Sequence, residues 1–125
     1  MITSIYTIAL AVLYIVLSAR VIFTRRGERI AYGDNGSPRV QARIRAFGNL
    51  AEYAPMGLLL MFFAEMQGLW PIWLHICGLT FTIGRYLHGL GMAFRPKVFL
   101  FRTTGMLLTF VGLLIGIALN AVPLF

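Results

Sequence analysis

Arg45-Ala46-Phe47-Gly48-Asn49-Leu50-Ala51-Glu52-Tyr53-Ala54-Pro55 places strongly polar side chains in a chain that otherwise reads as lipid-soluble. Arg45, Asn49, Glu52 and Tyr53 stand at i, i+4, i+7 and i+8. On an α-helix that spacing gathers them on one face. A charged side chain at membrane depth is costly, so it is rarely there without a partner or a task. The stretch therefore reads as part of a membrane helix and as the first place to look for chemistry.

Outward from this stretch the chain is apolar: 59% of its 125 residues are hydrophobic and only 12% are charged. That composition exceeds what a soluble domain of this size needs and points to an integral membrane protein. Four hydrophobic segments emerge, over about 2–23, 39–66, 70–94 and 98–122. Each is long enough for a helix of about 20 residues to cross a hydrocarbon core of about 30 Å. Four open strands would leave backbone groups unsatisfied in lipid. The expected fold is all-α, a single domain over 1–125 built as an antiparallel up-down four-helix bundle.

The connections are unequal. Thr24 to Pro38 is polar, with Tyr32-Gly33-Asp34-Asn35-Gly36-Ser37-Pro38 as a loop signal. Gln67-Gly68-Leu69 is a tight turn, and Pro71 suits the first turn of the third helix. Phe94-Arg95-Pro96-Lys97 makes the last turn. Pro55, inside the second helix, removes a backbone donor and favours a kink beside the polar face.

Eleven Lys and Arg against four acids give a net charge of +7. In a soluble protein this excess would suggest nucleic acid, but here it orients the chain. Arg25, Arg26, Arg29, Arg39 and Arg43 lie in or beside the first connection, and Arg95 and Lys97 lie in the third. The positive-inside rule places both in the cytoplasm and both termini outside. Trp70 and Trp73 then mark the opposite interface. The lone Cys77 cannot form an intrachain disulfide and makes a poor metal site; in its apolar run it reads as an inert thiol. No metal site is expected. Gly112-x-x-x-Gly116 is a small-residue pattern that lets helices approach closely, within a subunit or between subunits.

Other helices contribute polar groups at a similar depth: Arg20 at the end of the first, Arg85, Tyr86 and His88 in the third, and Arg102 at the start of the fourth. Counting about 1.5 Å per residue brings Glu52 and Arg85 to similar height, roughly 10 Å below the boundary. One reading is an internal ion-pair network, Glu52 with Arg85 or Arg45. Yet Arg20, Arg45, Arg85 and Arg102 face a single acid there, and unpaired buried charge is costly. The surplus suggests an anionic ligand arriving from the cytoplasm. Arginine grips carboxylate, Glu52 suits an ammonium group, and Asn49 can pair with a peptide amide. A small peptide with two carboxylates and one amine, such as glutathione, fits this inventory.

The pattern Arg45-x-x-x-Asn49-x-x-Glu52-Tyr53-x-Pro55 resembles the helix-two signature of the MAPEG family, the membrane-associated proteins in eicosanoid and glutathione metabolism. Size, span number and the long first loop agree, and the likeness is to the small prokaryotic branch. The resemblance implies glutathione binding by Arg20, Arg45, Asn49, Glu52, Tyr53, Arg85 and Tyr86. It implies Arg102 as the thiolate-stabilising arginine, with Arg95 and Lys97 as competitors for that role. It further implies a homotrimer with sites between subunits, in the inner membrane, open to lipid so that a hydrophobic second substrate enters from the bilayer. The expected activity is a glutathione-dependent transferase or peroxidase acting on lipophilic electrophiles. Leu90 stands where eicosanoid-synthesising members carry a second helix-three tyrosine, which argues against such substrates. His88 is a candidate acid or base, His75 is read as structural, and Glu65 and Gln67 as solvating the outer turn. Competing functions are a non-catalytic binding or scaffold protein and, ranked third, a small multidrug exporter. The first span lacks the acid on which four-helix exporters depend.

Overall fold

In the computed structural model, which describes residues 1–122, four helices follow one another: α1 (Ile2–Gly27), α2 (Pro38–Met66), α3 (Pro71–Phe94) and α4 (Phe99–Ala121). They form the expected all-helical bundle, with no strand among the described residues. α1, α2 and α4 are long and apolar enough to cross a membrane. α3 falls short of that measure, because His75, Arg85, Tyr86, His88 and its glycines dilute its apolar residues. The packing accounts for this departure from four equivalent spans. α3 touches each of the other three helices, whereas α1 and α4 do not touch. α3 has the most buried residues of the four helices, Arg85 and His88 among them, which keeps these polar groups off hydrocarbon.

Local chemistry sets the helix ends. Ser37 caps α2, its hydroxyl accepting from the Val40 N–H at 3.3 Å, and Pro38 occupies the first turn. Pro71 starts α3 in the same way. Gly68, at φ +75°, takes the left-handed conformation that closes the turn after α2. α1 runs past Phe23, where the sequence pattern ended it, to Gly27. The Thr24 hydroxyl bonds the Arg20 carbonyl at 2.7 Å, and Arg25 and Arg26 in the last turn complement the helix dipole. The extension needs no apolar residues, because it projects beyond the buried core. α2 continues as a helix through Pro55.

The core has two parts. Leu10, Leu13 and Leu17 of α1 pack on Ala46 and Leu50 of α2 and on Phe81 and Ala93 of α3. Tyr6, Met61 and Cys77 form a second cluster towards the other end. Glycine lets α3 and α4 meet backbone to backbone: a Cβ on Gly84 would lie 2.7 Å from the Thr109 nitrogen, and one on Gly105 would lie 2.5 Å from the His88 nitrogen. Gly112 faces Phe81, and Gly116 faces Leu60 and Cys77. The Gly112-x-x-x-Gly116 pattern therefore serves packing within this subunit. Cys77 is buried, its thiol directed to the Gly112 carbonyl at 3.4 Å.

At the end remote from the arginines, Glu65 departs from its expected role as a solvated residue. Its carboxylate accepts from the backbone N–H groups of Ile2 and of Thr3, the latter at 2.9 Å, and so caps the first turn of α1. The first N–H groups of any helix lack internal partners, and the end of α2 lies beside them. Gln67 likewise has a protein partner, donating to Asn120 at 3.0 Å, while Asn120 donates to the carbonyls of Leu60 and Gly116. His75, read as structural, takes part in a 2.8 Å hydrogen bond with the Tyr6 hydroxyl.

Candidate functional site

On α2 the spacing acts as expected. Arg45 and Glu52, two turns apart, pair at 3.6 Å, and both side chains remain more than half exposed. Of the two partners considered for Glu52, the structure selects Arg45. Asn49 lies between them, half-buried, with its Oδ1 enclosed and without a hydrogen-bond partner. Tyr53 turns inward: its ring lies 5.2 Å from the Arg85 guanidinium carbon and 6.0 Å, edge to face, from Phe110.

Arg85 is the largest side chain wholly enclosed by the bundle, 1% exposed. Its one polar contact is from Nη2 to the Met106 sulfur at 3.8 Å, and Nε and Nη1 have none. Tyr53 thus supplies a π-face to a guanidinium without a carboxylate, a weaker partner than an acid. Arg85 is enclosed whereas Glu52 is exposed, and the two make no ion pair. Tyr86, its neighbour, donates to the Ala9 carbonyl on α1 at 2.7 Å. A tyrosine satisfied in this way staples two helices.

Arg102 begins α4 half-buried, its guanidinium carbon 5.5 Å from the Phe99 ring. With His88, Phe99, Thr103 and Met106 it lines a hollow of about 200 Å³ between α3 and α4. His88 is 5% exposed and its Nδ1 has no partner. Arg95 and Lys97, the alternatives to Arg102, are exposed in the turn that follows α3. Arg20 lies at the same end of the bundle, its guanidinium carbon 4.3 Å above the Phe94 ring. A larger open groove of about 630 Å³ runs between α1 and α2, apolar, bordered by Leu10, Tyr14, Ala51, Ala54, Pro55 and Leu58.

One chain therefore presents the candidate residues as two sets. Arg45 and Glu52 are exposed on α2 with half-buried Asn49 between them; Arg85, His88 and Arg102 belong to the α3–α4 side, with Tyr53 against Arg85, and the charges of Arg85, Arg102 and Arg45 all bear on His88. The hollow at Arg102 does not include Arg45 or Glu52. Arg43, absent from the sequence reading of the site, is 6% exposed with two unpartnered nitrogens. Its signal was present but slight: it stands at i+3 from Val40 and i−3 from Ala46, on the buried stripe of α2.

The MAPEG family model matches residues 3–122 of this fold. The chain belongs to the MAPEG family. Two curated relatives, both described as inner membrane protein YecN, from Escherichia coli strain K12 and from E. coli O6:H1 strain CFT073, are each 37% identical to it over 120 residues, covering 96% of this chain and 90% of the relative. The resemblance seen in the helix-two signature thus extends along the whole bundle. In this MAPEG protein the Arg45–Glu52 pair is exposed on α2, and Arg102 and His88 line a separate hollow between α3 and α4.

Proposed function

We propose that this protein is a glutathione-dependent transferase or peroxidase of the inner membrane, acting on lipophilic electrophiles at its arginine-rich, cytoplasm-facing end. The observation that carries the reading is the half-exposed Arg45–Glu52 pair with Asn49 between them. A cation, an amide and an anion in line on one helix face match the carboxylate, peptide bond and ammonium of a short zwitterionic peptide. Exposed ion pairs contribute little to stability, so a binding role accounts for this pair better than a structural one. A neighbouring subunit in a homotrimer would cover the face, bringing Arg20 or Arg102 of one copy towards Arg45 of another. The inner-membrane location rests on the E. coli relatives, and the outside placement of both termini on the distribution of Arg and Lys.

The proposed chemistry is thiolate attack. Arg102 holds the glutathione sulfur as thiolate, whose proton passes to water; a guanidinium nearby favours the charged form. Sulfur then bonds to the electrophilic carbon of an aryl halide as the carbon–halogen bond breaks, and halide leaves with the electron pair. The α1–α2 groove is apolar and open, which suits entry of the second substrate from lipid.

Thermal unfolding in detergent tests the binding half. Millimolar glutathione is expected to raise the midpoint through preferential binding to the folded form, and Glu52→Gln is expected to weaken that rise. Turnover is tested with a chloronitrobenzene electrophile. A midpoint unmoved by glutathione would overturn the reading. Binding without turnover across several electrophiles would instead favour the scaffold reading, which has one observation of its own: Arg45 and Arg102 share no hollow within one chain.

A further inference from the structure

Arg43 is two residues from Arg45 but on the other side of α2, because two residues turn the helix by about 200°. Val40 and Ala46, three residues before and after it, are both fully buried and define its face. Arg43 itself is 6% exposed, and its Nε and Nη1 have no hydrogen-bond partner. The charges that bear on it are those of Arg20 and Arg39, both repulsive. The Arg20 Nε is likewise enclosed and unpartnered. Among the described residues the one ion pair within 4.0 Å is Arg45–Glu52, so no carboxylate neutralises this cluster. A buried guanidinium with unmade hydrogen bonds and like charges around it is costly, and the group that relieves such a cost is an oxyanion held by charge-assisted N–H bonds.

We propose that Arg43, with Arg20 beside it, binds a phosphate oxyanion at the arginine-rich boundary of the bundle. Arg43 precedes Ala46, where the apolar part of α2 starts, by roughly 4.5 Å of helix rise, which is the level of lipid headgroups. Arg20 is only partly buried, so its guanidinium is within reach of a group at that boundary. A phospholipid diester and free phosphate share the required chemistry. Arg20 is the only residue this site shares with the glutathione proposal, and the inference does not depend on glutathione binding.

The test compares wild type and Arg43→Gln, purified free of lipid in detergent. Each is measured for unfolding midpoint with phosphatidylglycerol against diacylglycerol, which lacks the phosphate, and with inorganic phosphate against chloride at matched ionic strength. A rise in wild type with phosphatidylglycerol alone identifies a lipid diester, and a rise with inorganic phosphate identifies the soluble ion. In either case the apparent affinity should fall about tenfold or more in Arg43→Gln, the loss expected when hydrogen bonds to a charged group are removed. If Arg43→Gln does not fold, the wild-type contrasts still decide, and Arg43→Lys, which keeps charge but not the fork, should bind more weakly than wild type. A wild type indifferent to both phosphate sources overturns the proposal, as does an Arg43→Gln that responds in full. The glutathione response, measured in the same preparations, reports separately on the other site.

Discussion

Gly105→Ala puts a methyl group where α3 and α4 leave no room for one. Its Cβ would lie 2.5 Å from the His88 nitrogen and 2.8 Å from both the His88 Cα and the Gly84 carbonyl oxygen. All three are backbone atoms, so no change of rotamer relieves the clash. Ordinary contact begins near 3.4 Å, which means that the helices must part by ~0.9 Å and forfeit dispersion contacts along the seam. Overpacking of this kind costs about 1–3 kcal/mol, and the rigidity of the obstructing atoms places Gly105→Ala near the upper end. Cys77 supplies the assay: it is buried, and a thiol-reactive dye reads its exposure as the detergent-solubilised protein is heated. Gly84→Ala meets the Thr109 nitrogen at 2.7 Å and the Gly105 carbonyl at 2.8 Å, so it demands the same separation. The double variant should therefore lose less stability than the sum of the two single losses, since one displacement accommodates both methyl groups. Gly27→Ala is the control; nothing lies within 4 Å of its Cβ, and its stability should stay within about 0.5 kcal/mol of wild type. A Gly105→Ala midpoint matching that of Gly27→Ala, or strictly additive losses in the double variant, would refute the backbone-contact reasoning.

Glu65→Ala should cost about 1 kcal/mol, the usual worth of a helix cap, and hydrogen exchange should quicken at Ile2 and Thr3 but not at mid-helix residues of α1. Tyr86→Phe removes the 2.7 Å bond to the Ala9 carbonyl and should lower stability by about 0.5–1.5 kcal/mol, read as a drop in the unfolding midpoint. Glu52→Gln should change stability by less than about 1 kcal/mol without ligand, because its pair with Arg45 is half-exposed. The same variant should lose most of the midpoint rise that glutathione is expected to give in wild type; equal loss in both conditions would mark the pair as structural.

The sequence by itself determined the class and number of elements. Long apolar runs that exclude water leave the backbone no partners but its own, so they must be helices, and Ser37, Pro38, Pro71 and Gly68 set where three of their ends fall. The i, i+4, i+7 spacing was enough to put Arg45, Asn49 and Glu52 on one face, because helix periodicity is a local property. What lies across from a face is not local. The pattern put Arg43 on the stripe of Val40 and Ala46, away from Arg45, but only the packing of the other helices against α2 showed that this stripe encloses a guanidinium. The same holds for Tyr86, spent on the Ala9 carbonyl, and for Glu65, which caps a helix that begins more than sixty residues earlier in the chain. Those outcomes depend on which helix lies beside which. That is decided by glycine contacts such as Gly84 on Gly105 and by the burial of Arg85 and His88 of α3, through the joint packing of all four helices.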